Sequence, residues 1–150
     1  MRLIIMRHGE AGPHRSDFER SLTSTGVAAS QRVAEQLKGL PWKADRVWVS
    51  PLVRAQQTAE TVVAAWPSLL ETKPFLTPDD DPAACMDALQ ALPDSETVLL
   101  VSHMPFVGVF TSLLVEGHRR GMPFMTSQAL ILEMPVAAPG CAELKQHILP

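Results

Sequence analysis

The stretch Thr97-Val98-Leu99-Leu100-Val101-Ser102-His103 decides the fold. Its apolar run, Val98 to Val101, shows no polar alternation. That marks a strand buried on both faces, as in parallel sheets covered by helices on either side. Ser102-His103-Met104 then makes a short turn, and Pro105 opens an apolar helix to about Glu116. The same grammar recurs upstream. Leu3-Ile4-Ile5-Met6 is a second buried strand, followed by Arg7-His8 and a polar loop to Arg20. Thr23 caps a helix to Lys38, with Val27, Val33, Ala34 and Leu37 on one face and Gly39 as its stop. Arg46–Val49 is another strand, and Ser50-Pro51 reads as a cap plus first-turn proline. The helix begun there carries Leu52, Ala55, Ala59, Val62 and Val63 and stops before Pro67. A weaker strand is predicted over Glu71–Leu76 and a turn over Thr77–Asp81. Asp81-Pro82 then opens a helix with Met86, Leu89 and Leu92 on one side. Residues 117–127 read as loop, and Leu130–Met134 and Ala142–His147 as two final antiparallel strands. This alternation predicts an α/β three-layer sandwich, with a mostly parallel central sheet flanked by helices. Ligands in such sheets bind beyond the carboxyl ends of the strands.

Length and composition narrow the function. The 150 residues suit one domain, with little left over for a cap. Hydrophobic residues make up 46% and charged residues 19%, as in an ordinary globular chain. A net charge of −3 argues against a polyanion binder, and three dispersed tryptophans make no stacking surface for nucleic acid. The two cysteines, Cys85 and Cys141, are too few for a disulfide framework or a zinc site and read as reduced thiols. No apolar run nears the roughly 20 residues of a membrane span, and no secretory signal is visible. The expectation is a cytoplasmic monomer that binds neither membrane nor nucleic acid.

Three strand ends carry chemistry. Arg7-His8 follows the first strand, Arg54 lies in the first turn after the second, and His103 follows the strand at 97–101. Each alone has an ordinary explanation as a solvated or hydrogen-bonded residue. Together, RHGE at 7–10, SPLVRAQQTAE at 50–60 and VSHMPFVG at 101–108 resemble the histidine phosphatase superfamily, with its phosphoglycerate mutase-like fold. RSLTSTG at 20–26 and PFLTPDDD at 74–81 add a likeness to the short SixA-type phosphohistidine phosphatases. The resemblance covers nearly the whole chain. It implies His8 as nucleophile, Arg7, Arg54 and His103 as the phosphate pocket, and Arg20 at its rim.

These residue types suit phosphoryl transfer. Arginine offers a permanently charged fork matched to phosphate oxygens, and catalysis of this reaction is mostly positioning and charge stabilisation. Two arginines beside His8 should also lower its pKa by repulsion and keep a lone pair for attack. His103 is expected to donate a hydrogen bond or a positive charge. No metal or other cofactor is implied, since the arginines take the charge and the histidines lack zinc-site spacing. An ester substrate would need a general acid, and the candidates are Glu10, Glu60, Asp79, Asp80 and Asp81. The three aspartates read more simply as a polar turn with a helix cap. A phosphoramidate releases a protonated imidazole readily and can do without that acid. The favoured substrate is therefore a phosphohistidine-bearing protein, with inorganic phosphate as product. A small phosphorylated metabolite is the alternative, and a non-catalytic phosphate-binding module is a second.

Overall fold

The computed structural model describes residues 1–150. Strands β1 (Arg2–Arg7), β2 (Arg46–Val49), β3 (Leu69–Thr72), β4 (Thr97–Ser102), β5 (Ala129–Glu133) and β6 (Glu143–Ile148) form one sheet. Its order is β3-β2-β4-β1-β5-β6. The pairs β2–β3, β2–β4 and β1–β4 are parallel, while β5 and β6 add on as antiparallel strands. The helices are α1 (Ser24–Lys38), α2 (Val53–Ala65), α3 (Pro82–Gln90) and α4 (Phe106–Glu116). The expected sandwich is therefore present, and its sheet is mixed only at one side. No helix is long and apolar enough to cross a membrane.

Strand alternation sorts the core into two halves. Ile4, Met6, Val47, Val49, Leu99 and Val101 pack against Val33, Ala34 and Leu37 of α1 and Ala55, Ala59 and Val62 of α2. Leu3, Ile5, Val98, Leu100, Leu130 and Leu132 pack on the other face against Cys85 and Leu89 of α3 and Phe106, Val107, Phe110 and Leu114 of α4. β4 is buried at every position, which is why its sequence is apolar without alternation. Two of the tryptophans are core residues, Trp48 and Trp66. Trp42 lies under the Arg2 guanidinium, 4.0 Å from ring centroid to Cζ.

Three sequence expectations need correction. The third strand covers Leu69–Thr72 instead of Glu71–Leu76, and Pro74–Leu76 is a short 3₁₀ turn. Lys73 N–H still donates to the Val49 carbonyl, but β2 ends there and the chain turns into the short Pro74–Leu76 helix. The second helix begins at Val53 instead of Pro51. The Ser50 hydroxyl accepts from Leu52 N–H in a local turn and is committed to the site described below. Val27 is 37% exposed and does not face the core. The inward face of α1 is formed instead by Gly26, Ser30, Val33, Ala34 and Leu37.

Gly26 is where α1 meets the loop after β1. A Cβ at this position would sit 2.1 Å from the Glu10 carbonyl oxygen, so only glycine permits this approach. The contact seats the His8–Glu10 segment on the first turn of α1. The Thr23 hydroxyl adds a 2.6 Å bond to the Glu10 carboxylate, while its oxygen also caps Gly26 N–H at 3.0 Å. Gly26→Ala should therefore cost about 1–3 kcal/mol by overpacking. Urea unfolding checks this, and an unchanged midpoint would contradict it.

Candidate active site

The sheet register sets the site. Arg7 pairs with Ser102, and Val49 with Val101. The residues just beyond, His8, His103 and Ser50, therefore emerge side by side. His8 N–H donates to the Ser102 carbonyl at 2.9 Å, and Ser50 N–H to the Val101 carbonyl at 3.1 Å. The His8 and His103 rings lie 5.0 Å apart between centroids. Arg54, in the first turn of α2, brings its Nε to 3.3 Å from His8 Nε2.

Hydrogen bonds define the His8 tautomer. Arg54 Nε–H can only donate, so His8 Nε2 accepts and holds the lone pair. The ring proton then lies on Nδ1, which donates to the Gly9 carbonyl at 2.7 Å. The backbone here is tied on every side. Gly9 N–H donates to Thr58 Oγ1 at 3.0 Å, and Thr58 in turn donates to the Arg54 carbonyl at 2.8 Å. Ser127 N–H donates to the His8 carbonyl at 3.0 Å. Ser127 holds a left-handed backbone with φ of 64°, a costly conformation for a residue with a side chain. Its hydroxyl, 3.0 Å from Ser30 Oγ, helps hold it there.

Each cation has defined partners. Arg7 Nη1 donates to the Phe124 carbonyl at 2.8 Å, and its Nε is buried with no protein partner. Arg54 is 4% exposed and donates through Nη1 to the Asp17 carbonyl at 2.8 Å. Its Nη2 meets Asp17 Oδ2 at 3.3 Å. Arg20 is held at the edge by the Gly12 and Ala11 carbonyls, and its Nη1 reaches Asp17 Oδ1 at 3.3 Å. His103 Nε2 lies 2.7 Å from Ser50 Oγ, and its Nδ1 is buried with no protein partner.

Burial is the leading cause that pulls the His8 pKa down to about 4. The Gly9 hydrogen bond opposes it, and the charges of Arg54, Arg7 and Arg20 add to it. Repulsion from arginines, the expected cause, is thus the lesser one. His103 falls to about 3, again chiefly by burial, with His8 and Arg54 contributing. Burial therefore favours its neutral form, in which it serves as an N–H donor. Asp17 is pushed up by burial, but the hydrogen bond from Arg20 and the charge of Arg54 outweigh this and hold it below the usual carboxylate range.

All five residues expected at the site are brought together: Arg7, His8, Arg54 and His103 at its centre and Arg20 at its edge. Three of the five candidate acids have other partners. Glu10 bonds Thr23, Asp80 Oδ2 accepts from Thr77 N–H and Oγ1, and Asp81 caps α3 through Ala83 N–H. Asp79 and Glu60 are exposed. Asp17, Ser50, Thr58 and Ser127 escaped the sequence reading. Only Thr58 carried a signal, four residues from Arg54 and so on the same helix face. No three of the His, Cys, Asp and Glu side chains come together as a metal-binding group.

This arrangement of an RHG segment, a helix-borne arginine and a second histidine on one sheet edge defines a histidine phosphatase, and the chain belongs to that superfamily. The model of the histidine phosphatase superfamily, branch 1, matches residues 3–77. The chain is 39% identical over 135 residues to the phosphohistidine phosphatase SixA of Escherichia coli K12, spanning 87% of this chain and 83% of that protein. A SixA homolog of Haemophilus influenzae is 37% identical over 136 residues, spanning 83% of this chain and 82% of that one. The solved structure of the protein histidine phosphatase SixA complexed with tungstate matches with a TM-score of 0.90 at 36% identity. That match covers 100% of this chain and 97% of the other.

The lowered histidine pKa values predict a pH effect on stability. The unfolded chain binds the protons that folded His8 and His103 refuse, so this contribution is complete above the unfolded value of about 6.5. It is lost as pH falls through about 4 for His8 and about 3 for His103. Nitrogen NMR should show His8 neutral, with its proton on Nδ1, at pH 6. A charged ring, or a proton on Nε2, would contradict this.

Proposed function

We propose that this protein is a phosphohistidine phosphatase that works through a phosphorylated His8. The observation that carries the reading is the setting of His8, with Nδ1 against the Gly9 carbonyl and Nε2 facing the Arg54 guanidinium. A phosphoryl oxygen of the substrate takes over the Arg54 Nε–H and frees Nε2, which attacks phosphorus as the leaving group departs; water then releases inorganic phosphate. Arg54 and Arg7 neutralise charge on the phosphoryl oxygens. The unpartnered Arg7 Nε and His103 Nδ1 are donors suited to those oxygens. His103 Nδ1 carries its proton when the Ser50 hydroxyl donates to Nε2. In this scheme no step requires a metal ion.

The substrate class follows from the leaving group. An alkoxide needs a proton from a nearby carboxylic acid. Asp17 is the carboxylate bound directly to the site arginines, and they hold it ionised, so it is a poor proton donor. A phosphohistidine leaves as a neutral imidazole once protonated and needs no such acid. Similarity to SixA at 39% identity supports the same substrate class, a phosphohistidine presented by another protein. We read the enzyme as an uncapped single domain, which suits a macromolecular substrate.

Turnover of phosphoramidate and of a phosphohistidine protein should exceed that of p-nitrophenyl phosphate, and His8→Ala should lose about a thousandfold or more in kcat. Mass spectrometry after a quench that avoids acid should trap phosphate on His8. Retained turnover in His8→Ala would overturn the nucleophile assignment. Faster ester hydrolysis in the wild type would favour a small metabolite as substrate.

A further inference from the structure

We propose that Asp17 is a positioning residue that turns the Arg54 guanidinium so that its Nε–Nη2 edge faces His8. The inference rests on the phosphatase reading above and assigns a role that the five expected residues do not fill.

A guanidinium has two edges able to grip an anion with paired donors, one formed by Nη1 and Nη2 and the other by Nε and Nη2. Asp17 occupies the first edge with two acceptors from a single residue. Its carbonyl takes Nη1 at 2.8 Å and its Oδ2 takes Nη2 at 3.3 Å. Nε is thereby directed at His8 Nε2, 3.3 Å away. A phosphoryl group leaving or joining His8 Nε2 would meet Nε and the second Nη2 hydrogen as a matched pair. The other oxygen of Asp17, Oδ1, bonds Arg20, which is itself anchored on the Gly12 and Ala11 carbonyls. A chain of contacts thus runs from the loop through Arg20, Asp17 and Arg54 to the nucleophile.

The carboxylate has a second effect of opposite sign. It places a negative charge against the two guanidiniums that attract the phosphoryl group, so it weakens anion binding while improving aim. Orientation is worth rate and charge is worth affinity, so the two effects separate in experiment.

The test compares wild type, Asp17→Asn and Asp17→Ala as full chains. Inorganic phosphate binding is followed by calorimetry, and kcat and KM are measured with phosphoramidate across pH. Both variants should bind phosphate about twofold to fivefold more tightly, since one exposed negative charge beside the two arginines is removed. Asp17→Ala should lose about tenfold in kcat as the fork swings from its productive orientation. Asp17→Asn keeps a carbonyl oxygen for Nη2 and should recover most of that loss. Weaker or unchanged phosphate binding in both variants would overturn the proposal, as would equal kcat in all three proteins. An alkaline limb present in wild type and lost in Asp17→Asn would also overturn it, by making Asp17 a proton donor. Failure of the wild type to hydrolyse phosphoramidate would instead sink the phosphatase reading, and the phosphate titrations would still decide the role of Asp17.

Discussion

Everything at this site depends on the parallel pairing of β1 and β2 with the buried β4 between them. Because Arg7 is level with Ser102 and Val49 with Val101, the next residue of each strand leaves the sheet at the same height. His8, His103 and Ser50 are neighbours for that reason alone, although they come from distant parts of the chain. The register is well protected. β4 is apolar on both faces, so slipping by one residue would exchange its side chains between two differently shaped half-cores.

The loop after β1 must then be held against a strongly unfavourable concentration of positive charge. Three devices act together. Gly26 lets the backbone of α1 approach Glu10, Thr58 accepts the Gly9 N–H, and Ser127 accepts a left-handed backbone to donate to the His8 carbonyl. Asp17 offsets part of the charge. The cationic centre therefore sits inside a chain of net charge −3 without needing a basic surface.

Much of this was legible in the sequence, because strands buried on both faces and residues at strand ends are local signals. The sandwich and the helix from Thr23 to Lys38 were readable from runs and caps; Arg7, His8, Arg54 and His103 stood out at strand ends, but their roles, and the place of Arg20, came from the family resemblance. What escaped depends on tertiary partners. Ser50 looked like a helix cap because a serine before proline usually is one, but its hydroxyl is used by His103. Val27 matched the helical period, yet it lies with Gln31, Glu35 and Lys38 along the open groove beside α2 and is 37% exposed. Asp17 was one acid among several in a polar loop, and only the folded chain places its carbonyl and carboxylate on Arg54. The depression of the His8 pKa was foreseen, but its main cause, burial, is a property of packing and not of nearby charges.

The bond between His8 Nδ1 and the carbonyl of the next residue has a regiochemical consequence. Of the two ring nitrogens, only Nε2 can take up a phosphoryl group while that bond survives. The phosphorylated ring would then carry its positive charge beside the Gly9 oxygen, which stabilises the imidazolium without taking its proton. A protonated phosphoimidazole is an activated phosphoryl donor, so the group that selects the nitrogen also preserves the reactivity of the adduct toward water. In the proposed reaction one backbone carbonyl would thus govern both where the phosphorus is attached and how readily it departs.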